Sequence, residues 1–367
     1  MSKSERVKSD SAAAAAATAT AIRVGVDLGT NTTVLAGAWD GKRVALTNDI
    51  FKSVVGFPKE GIIPGILPND KDVLIGDEAI DYRLHLDLSW VLHHGCVADV
   101  ETAQLFTRHC RTILDAEGAH HIWGVVGAPA NSSPEQEKDL RSAMAGVLDR
   151  LVVVPEPFLA AMGLRDDANY KDSGDPTKHS LIVDIGAGTT DLCLVRGYFP
   201  TADDQISFPR AGNFIDDKLF EGVERRYPDI KLTRVTLTQM KESHSFVGGF
   251  ERDADVKVYV DGRPRVVDFS EIVRDACEEI IPDILKGVKE LLRRCDSDSI
   301  EHVMANIILT GGGSQIHGLC ERVQEMLRED GYDSATTVRP ADYKRLVANG
   351  ALKIAENVRD DQWQVPM

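Results

Sequence analysis

The chain has 367 residues, 43% hydrophobic and 27% charged, an ordinary globular composition with length enough for two cored domains. Its formal net charge of −16 argues against nucleic acid as a main partner and against adhesion to anionic membrane, since both need clustered Lys and Arg. No apolar run approaches transmembrane length, so membrane insertion is not expected.

Residues 1–21 are charged and then Ala-rich, without a large apolar face. They read as a mobile tail, not a signal peptide or an amphipathic anchor. The first ordered pattern is VGVDLGTNTTVL, residues 24–35. Apolar residues surround Asp27, and the chain then turns at Gly29. The pattern predicts strand, tight turn, strand. A carboxylate inside a short strand is costly if only structural, so Asp27 calls for a cationic partner. The pairs His93-His94 and His120-His121 lack the i, i+4 spacing of a helical metal site and read as surface or packing residues. Six dispersed cysteines without a CxxC read as reduced thiols.

In VVVPEPFLAAMGL, 152–164, Glu156 stands between two prolines before a small-residue helix. LIVDIGAGTTDL, 181–192, then repeats the first pattern at constant offset. Val26 matches Val183, Asp27 matches Asp184, Gly29 matches Gly186, and Thr32-Thr33 match Thr189-Thr190. Successive backbone N–H groups in such turns bind anions, and threonine hydroxyls add donors. A strand-end Asp suits a divalent ion held through water. Two copies point to a clamp around a polyphosphate, one turn and one carboxylate from each half.

SFVGGF, 245–250, is either a small core element or a filament contact. The segment 271–294 carries Ile280, Ile284, Val288 and Leu291 at helical spacing, a core stripe that Pro282 should kink or divide. In NIILTGGGSQIHGLCERV, 306–323, a strand meets Gly311-Gly312-Gly313 and then a helix, an arrangement suited to a nucleotide. LVANGALKIAENV, 346–358, is a second small-residue helix. With 152–164 it suggests crossing helices that form a pivot between domains.

Taken together, the first hairpin, EP-x-x-A helix, second hairpin, GGGS turn and terminal small-residue helix resemble the ATPases of the actin, Hsp70 and sugar-kinase group, from Ile22 to about Ala355. VLIGDEAIDYR (73–83), AGNFIDDKL (211–219) and the two hairpins resemble bacterial actins of the MreB and MamK kind. FKSVVGFPKE (51–60) and MKESHSFVGG (240–249) resemble the magnetosome-aligning MamK branch more than cell-shape MreB. The resemblance implies an α/β actin-like fold of two ribonuclease-H-like domains, each with a smaller subdomain, around a nucleotide cleft. It implies domain I at 22–175 with subdomain IB at about 53–92. Domain II follows at 176–340 with subdomain IIB at about 211–272, and 341–367 returns to domain I.

The same resemblance implies roles for residues. Gly29, Thr30, Asn31 and Thr32 form one phosphate turn; Gly186, Ala187, Gly188, Thr189 and Thr190 form the other. Asn31 stands where Ser is commoner, and its amide still donates. Asp27 and Asp184 face hydrated Mg²⁺, and Asp184 shares the catalytic role with Glu156, which polarises the attacking water. From the residues alone, Glu156 reads first as a first-turn helix cap, and the resemblance favours catalysis instead. Gly212, Asn213 and Asp216 lie near ribose, Lys241 and Glu242 near ribose and adenine, and Gly311, Gly312, Gly313 and Ser314 along adenosine. Lys241-Glu242 also reads as a solvated pair, and Asp216 as a first-turn acid.

The function so implied is a cytoplasmic, ATP-dependent polymerising actin with ATP and Mg²⁺ bound and slow, assembly-stimulated hydrolysis. Its partners are further copies of itself and acidic or organelle-surface adaptor proteins, which would associate it with magnetosome membranes. The alternatives are an MreB-like cell-shape or plasmid-segregating actin, a non-polymerising scaffold ATPase, and a small-molecule kinase, for which no substrate-base motif stands out. A chaperone ATPase would need a peptide-binding domain beyond the terminal helix.

Overall fold

Apolar and β-branched runs on either side of the first glycine turn form β1 (Ile22–Leu28) and β2 (Thr32–Trp39). The computed structural model describes residues 21–165, 170, 174–249 and 252–366; the tail expectation for 1–20 lies outside the described residues. By internal contacts the chain divides into two units. The first comprises the chain up to Ala128, Ser132–Gly163 and the chain from Arg345; the second comprises Pro129–Asn131 and Leu164–Lys344.

In the first unit, β3 (Ile122–Ala128) and β4 (Arg150–Pro155) complete the central sheet, in the order β4-β3-β1-β2. β1 pairs antiparallel with β2 and parallel with β3, so both its edges are bonded. Gln364 exchanges two backbone hydrogen bonds with Leu151 on the outer edge of β4, at 2.8 and 3.1 Å. Next to it, the Trp363 ring meets Trp123 at 5.4 Å, and the Arg23 guanidinium lies 4.3 Å from the Trp123 ring centre.

Helix α1 (Glu156–Leu164) and the C-terminal helix (Leu346–Ala355) cross at backbone contact. A Cβ on Gly350 would fall 1.9 Å from the Leu159 carbonyl oxygen, and one on Gly163 2.2 Å from that of Leu346. The small residues permit the approach, as their spacing predicts. The crossing lies inside the first unit, however, and not between domains.

The second unit repeats the plan. β5 (Ser180–Ile185) pairs antiparallel with β6 (Thr190–Val195) and parallel with β8 (Ile307–Thr310), while β7 (Gln205–Phe208) flanks β6. The 271–294 segment is divided as expected: one helix spans Ser270–Glu278 and the next Ile281–Leu292, with Pro282 in its first turn. Ile280, Ile284, Val288 and Leu291 are fully buried. Phe246 and Val247 are buried too, and Val247 N–H donates to the His317 carbonyl at 2.9 Å. That part of SFVGGF is therefore core, which removes it as an exposed filament contact; Phe250 lies outside the described residues.

Candidate nucleotide-binding site

The first turn is braced from the chain that follows it. Ser53 N–H donates to the Asn31 carbonyl at 3.1 Å, and Gly95 N–H donates to Thr30 Oγ1 at 3.1 Å. Thr33 and Ser53 hydroxyls share a buried 2.8 Å hydrogen bond beneath the turn. Asp27 closes β1 beside it. Protein packed around this carboxyl pushes its pKa up to about 7, although it is not wholly shielded from solvent.

Glu156 opens α1, where the strand β4 ends. Its side chain lies over Gly127: a Cβ added there would fall 2.8 Å from Glu156 Cγ and 3.5 Å from Oε1. Val26 pairs with Val126, so Gly127 is the next residue on the strand beside Asp27. The first unit thus gathers Asp27, the turn residues Gly29, Thr30, Asn31 and Thr32, and Glu156 at the same end of one sheet.

The second turn is closed by Gly186 N–H donating to the Thr189 carbonyl at 2.9 Å. Helix α2 (Gly212–Arg226) locks it, since Gly212 N–H donates to Gly186 O at 3.1 Å and Asn213 N–H to Ala187 O at 2.7 Å. Two otherwise unsatisfied first-turn donors are met in this way. Asp216 is 6% exposed and pairs with Lys241 Nζ at 2.9 Å, while Thr238 Oγ1 donates to its other oxygen at 2.9 Å. Burial raises the Asp216 pKa and Lys241 opposes that. Lys241 Nζ also donates to Gly212 O at 2.7 Å, which ties helix α3 (Arg234–His244) to α2. Lys241 is therefore a structural tether as it stands, and Glu242 beside it is exposed.

The third glycine run folds directly against the second hairpin. Gly311 has φ +75°, and a Cβ there would fall 2.3 Å from Asp184 Oδ1, so glycine is required. Gly312 and Gly313 open a short 3-10 turn, and the fully buried Ser314 donates from Oγ to Gly311 O at 2.7 Å. The second unit thereby brings together Asp184, the turn 186–190, Gly212, Asn213, Asp216, Lys241 and 311–314.

Two residues of this region escape sequence reasoning. Thr310, opposite Asp184 in the sheet, is 1% exposed, and its hydroxyl has no hydrogen-bond partner among the described residues. Asp191 lies directly across from Asp184 on β6 and is 2% exposed. Comparing the two hairpins offers a signal for Asp191, because the first copy has Val34 there; Thr310 reads simply as a strand residue. Among the described residues no group of three or more His, Cys, Asp or Glu has the geometry to hold a metal, and no helix is long and apolar enough to cross a membrane.

A duplicated hairpin-and-parallel-strand sheet, with an acid at each turn and a glycine run beside the second, defines an actin-like protein. Comparisons agree. The MreB/Mbl protein family model matches residues 21–362, and the chain belongs to that family. It is 33% identical over 344 residues to the actin-like protein MamK of Magnetospirillum gryphiswaldense, covering 92% of this chain and 90% of that protein. Against the MamK of Paramagnetospirillum magneticum it is 33% identical over 345 residues, 93% of this chain and 94% of the relative. The cell shape-determining protein Mbl of Bacillus subtilis is 25% identical over 65% of this chain and 71% of its own length. Among solved structures, a MamK double helical filament aligns with TM-score 0.82 at 32% identity, covering 92% of this chain and 99% of the other. A non-polymerising MamK point mutant bound to AMPPNP aligns with TM-score 0.63 at 33% identity and the same coverage.

Proposed function

We propose that this chain is an ATP-dependent polymerising actin whose cytoplasmic filaments position organelles of the magnetosome kind, with hydrolysis driving filament turnover. The observation that carries this reading is the 33% identity to MamK over nearly the full length, joined to the alignment with a MamK filament. An AMPPNP-bound relative supports the nucleotide. The cell-shape reading is less favoured, since the Mbl match covers less of the chain at lower identity.

Each unit carries one acid-bearing turn of the kind that holds a nucleotide's phosphates. Gly29–Thr32 and Gly186–Thr190 hold phosphates through N–H and hydroxyl donors. Gly212, Asn213, Asp216, Lys241, Glu242 and 311–314 serve the nucleoside. The residues fit a hydrated Mg²⁺: Asp27 and Asp184 are confined carboxylates, and the buried Thr310 hydroxyl lacks a partner among the described residues. When bound, Mg²⁺ compensates phosphate charge. Glu156 accepts a hydrogen bond from the attacking water and orients it. Contact with a neighbouring subunit adjusts that geometry, so turnover is slow in the monomer and faster on assembly. The same reading sets domain I at 22–175, domain II at 176–340, and 341–367 returning to domain I. Adaptor proteins on the organelle surface, drawn to the filament, supply the cargo.

Electron microscopy and sedimentation of the purified chain with ATP, with ADP and without nucleotide test the reading. Filaments in ATP that disassemble as ADP accumulates are expected. A chain that never pellets, under any nucleotide, is a non-polymerising ATPase instead.

A further inference from the structure

The two hairpins differ at one informative position. Val34 follows Thr33 in the first copy, whereas Asp191 follows Thr190 in the second. Val34 is an ordinary buried strand residue, 3% exposed. Asp191 is just as buried, and a carboxylate there is costly unless its hydrogen bonds matter. It stands beyond the glycines and threonines of the turn, so cradling phosphate does not account for it.

Its partners do. Asp191 Oδ2 accepts from Thr189 Oγ1 at 2.6 Å, and Oδ1 accepts from Ala130 N–H at 2.8 Å. Ser207, opposite on β7, adds a further hydrogen bond. Burial still pushes the carboxyl up to about 6. Ala130 is no incidental neighbour. Pro129–Asn131 belongs by its contacts to the second unit, while the chain on either side belongs to the first. Asn131 Nδ2 donates to the Gln205 carbonyl at 2.8 Å, a second tie in the same segment. The chain enters this segment straight from β3, whose last residue, Ala128, pairs with Pro155. Gly127, one residue earlier, lies under Glu156. The amide gripped by Asp191 is thus three residues from the glycine on which Glu156 rests.

We propose that Asp191 is a positioning residue: its carboxylate ties Thr189 of the second turn to the 129–131 crossing, and so carries the state of that turn along the end of β3 to Glu156. The role in hydrolysis rests on the functional reading above; the tie itself can be tested apart from it.

The test compares the full chain with Asp191→Val, which restores the first hairpin's residue, and Asp191→Asn, which keeps an acceptor for Ala130. Three quantities are measured: amide hydrogen exchange at Ala130 without nucleotide, affinity for Mg-AMPPNP, and single-turnover phosphate release from ATP. Asp191→Val is expected to speed exchange and slow release by about tenfold or more each, with affinity held within about threefold. Asp191→Asn is expected to keep slow exchange and release within about threefold of the parent. Unchanged exchange or parent-rate release in Asp191→Val overturns the proposal. So does a loss of affinity equal to the loss of release, which marks an ordinary nucleotide contact, or an Asp191→Asn that behaves like the valine variant. If the valine variant does not fold, Asp191→Ser, too short to reach both donors, is judged by the same criteria. If the parent itself releases no phosphate, the ATPase reading has failed, and the exchange arm alone decides the tie.

Discussion

Asp27 makes a pH prediction of definite sign. An unfolded aspartate ionises at about 4, whereas packing moves this one to about 7. The folded chain therefore holds the proton more tightly. The resulting stability is complete below about pH 4 and is lost as pH rises through about 7. Without nucleotide and Mg²⁺, Asp27→Asn should be more stable than the parent by about 1–2 kcal/mol at pH 8, the gap closing toward pH 4. Urea denaturation at the two pH values measures it; a constant gap counts against a confined carboxyl. Glu156 makes a kinetic prediction. Glu156→Ala should retain Mg-ATP binding yet lose phosphate release by about a hundredfold, leaving persistent filaments. Normal release in a malachite-green assay removes Glu156 from the mechanism. Asp184→Ala should weaken Mg-dependent ATP binding, and an unchanged calorimetric affinity contradicts that.

Elements show where backbone packing, not side-chain chemistry, sets the limits. Gly350 meets the Leu159 carbonyl with no room for a methyl group. Gly350→Ala should force α1 and the C-terminal helix apart and cost about 2–4 kcal/mol in thermal or urea unfolding. Such a shift also moves the helix that begins with Glu156. The hairpins, the divided helix at Pro282 and this crossing were legible in the sequence because each follows from local periodicity, glycine or proline. The duplication of Asp27 and Asp184 was legible for the same reason. What was not legible depended on partners far along the chain. The bonds of Lys241 to Asp216 and Gly212 are one case, since only the packing of α3 on α2 brings those groups within reach. SFVGGF left a core element and a filament contact both open, and Phe246 and Val247 find cover beside His317, some seventy positions later. Asp191 stands out only once the sheet register sets it opposite Asp184.

For the whole molecule, the net charge of −16 opposes self-association. Raising ionic strength from about 10 to about 150 mM shortens the screening length from about 30 to about 8 Å. The critical concentration for ATP-driven assembly should therefore fall across that range in a pelleting assay. A critical concentration that rises instead would mean that assembly relies on opposite-charge contacts between subunits. A different handle lies in the segment that returns to the edge of β4. Trp363 is 5% exposed and faces Trp123, with the Arg23 guanidinium close to both rings. Two indoles at this range are electronically coupled, so the near-ultraviolet circular dichroism of the unlabelled protein carries a built-in report of whether the segment around Trp363 remains docked on β4.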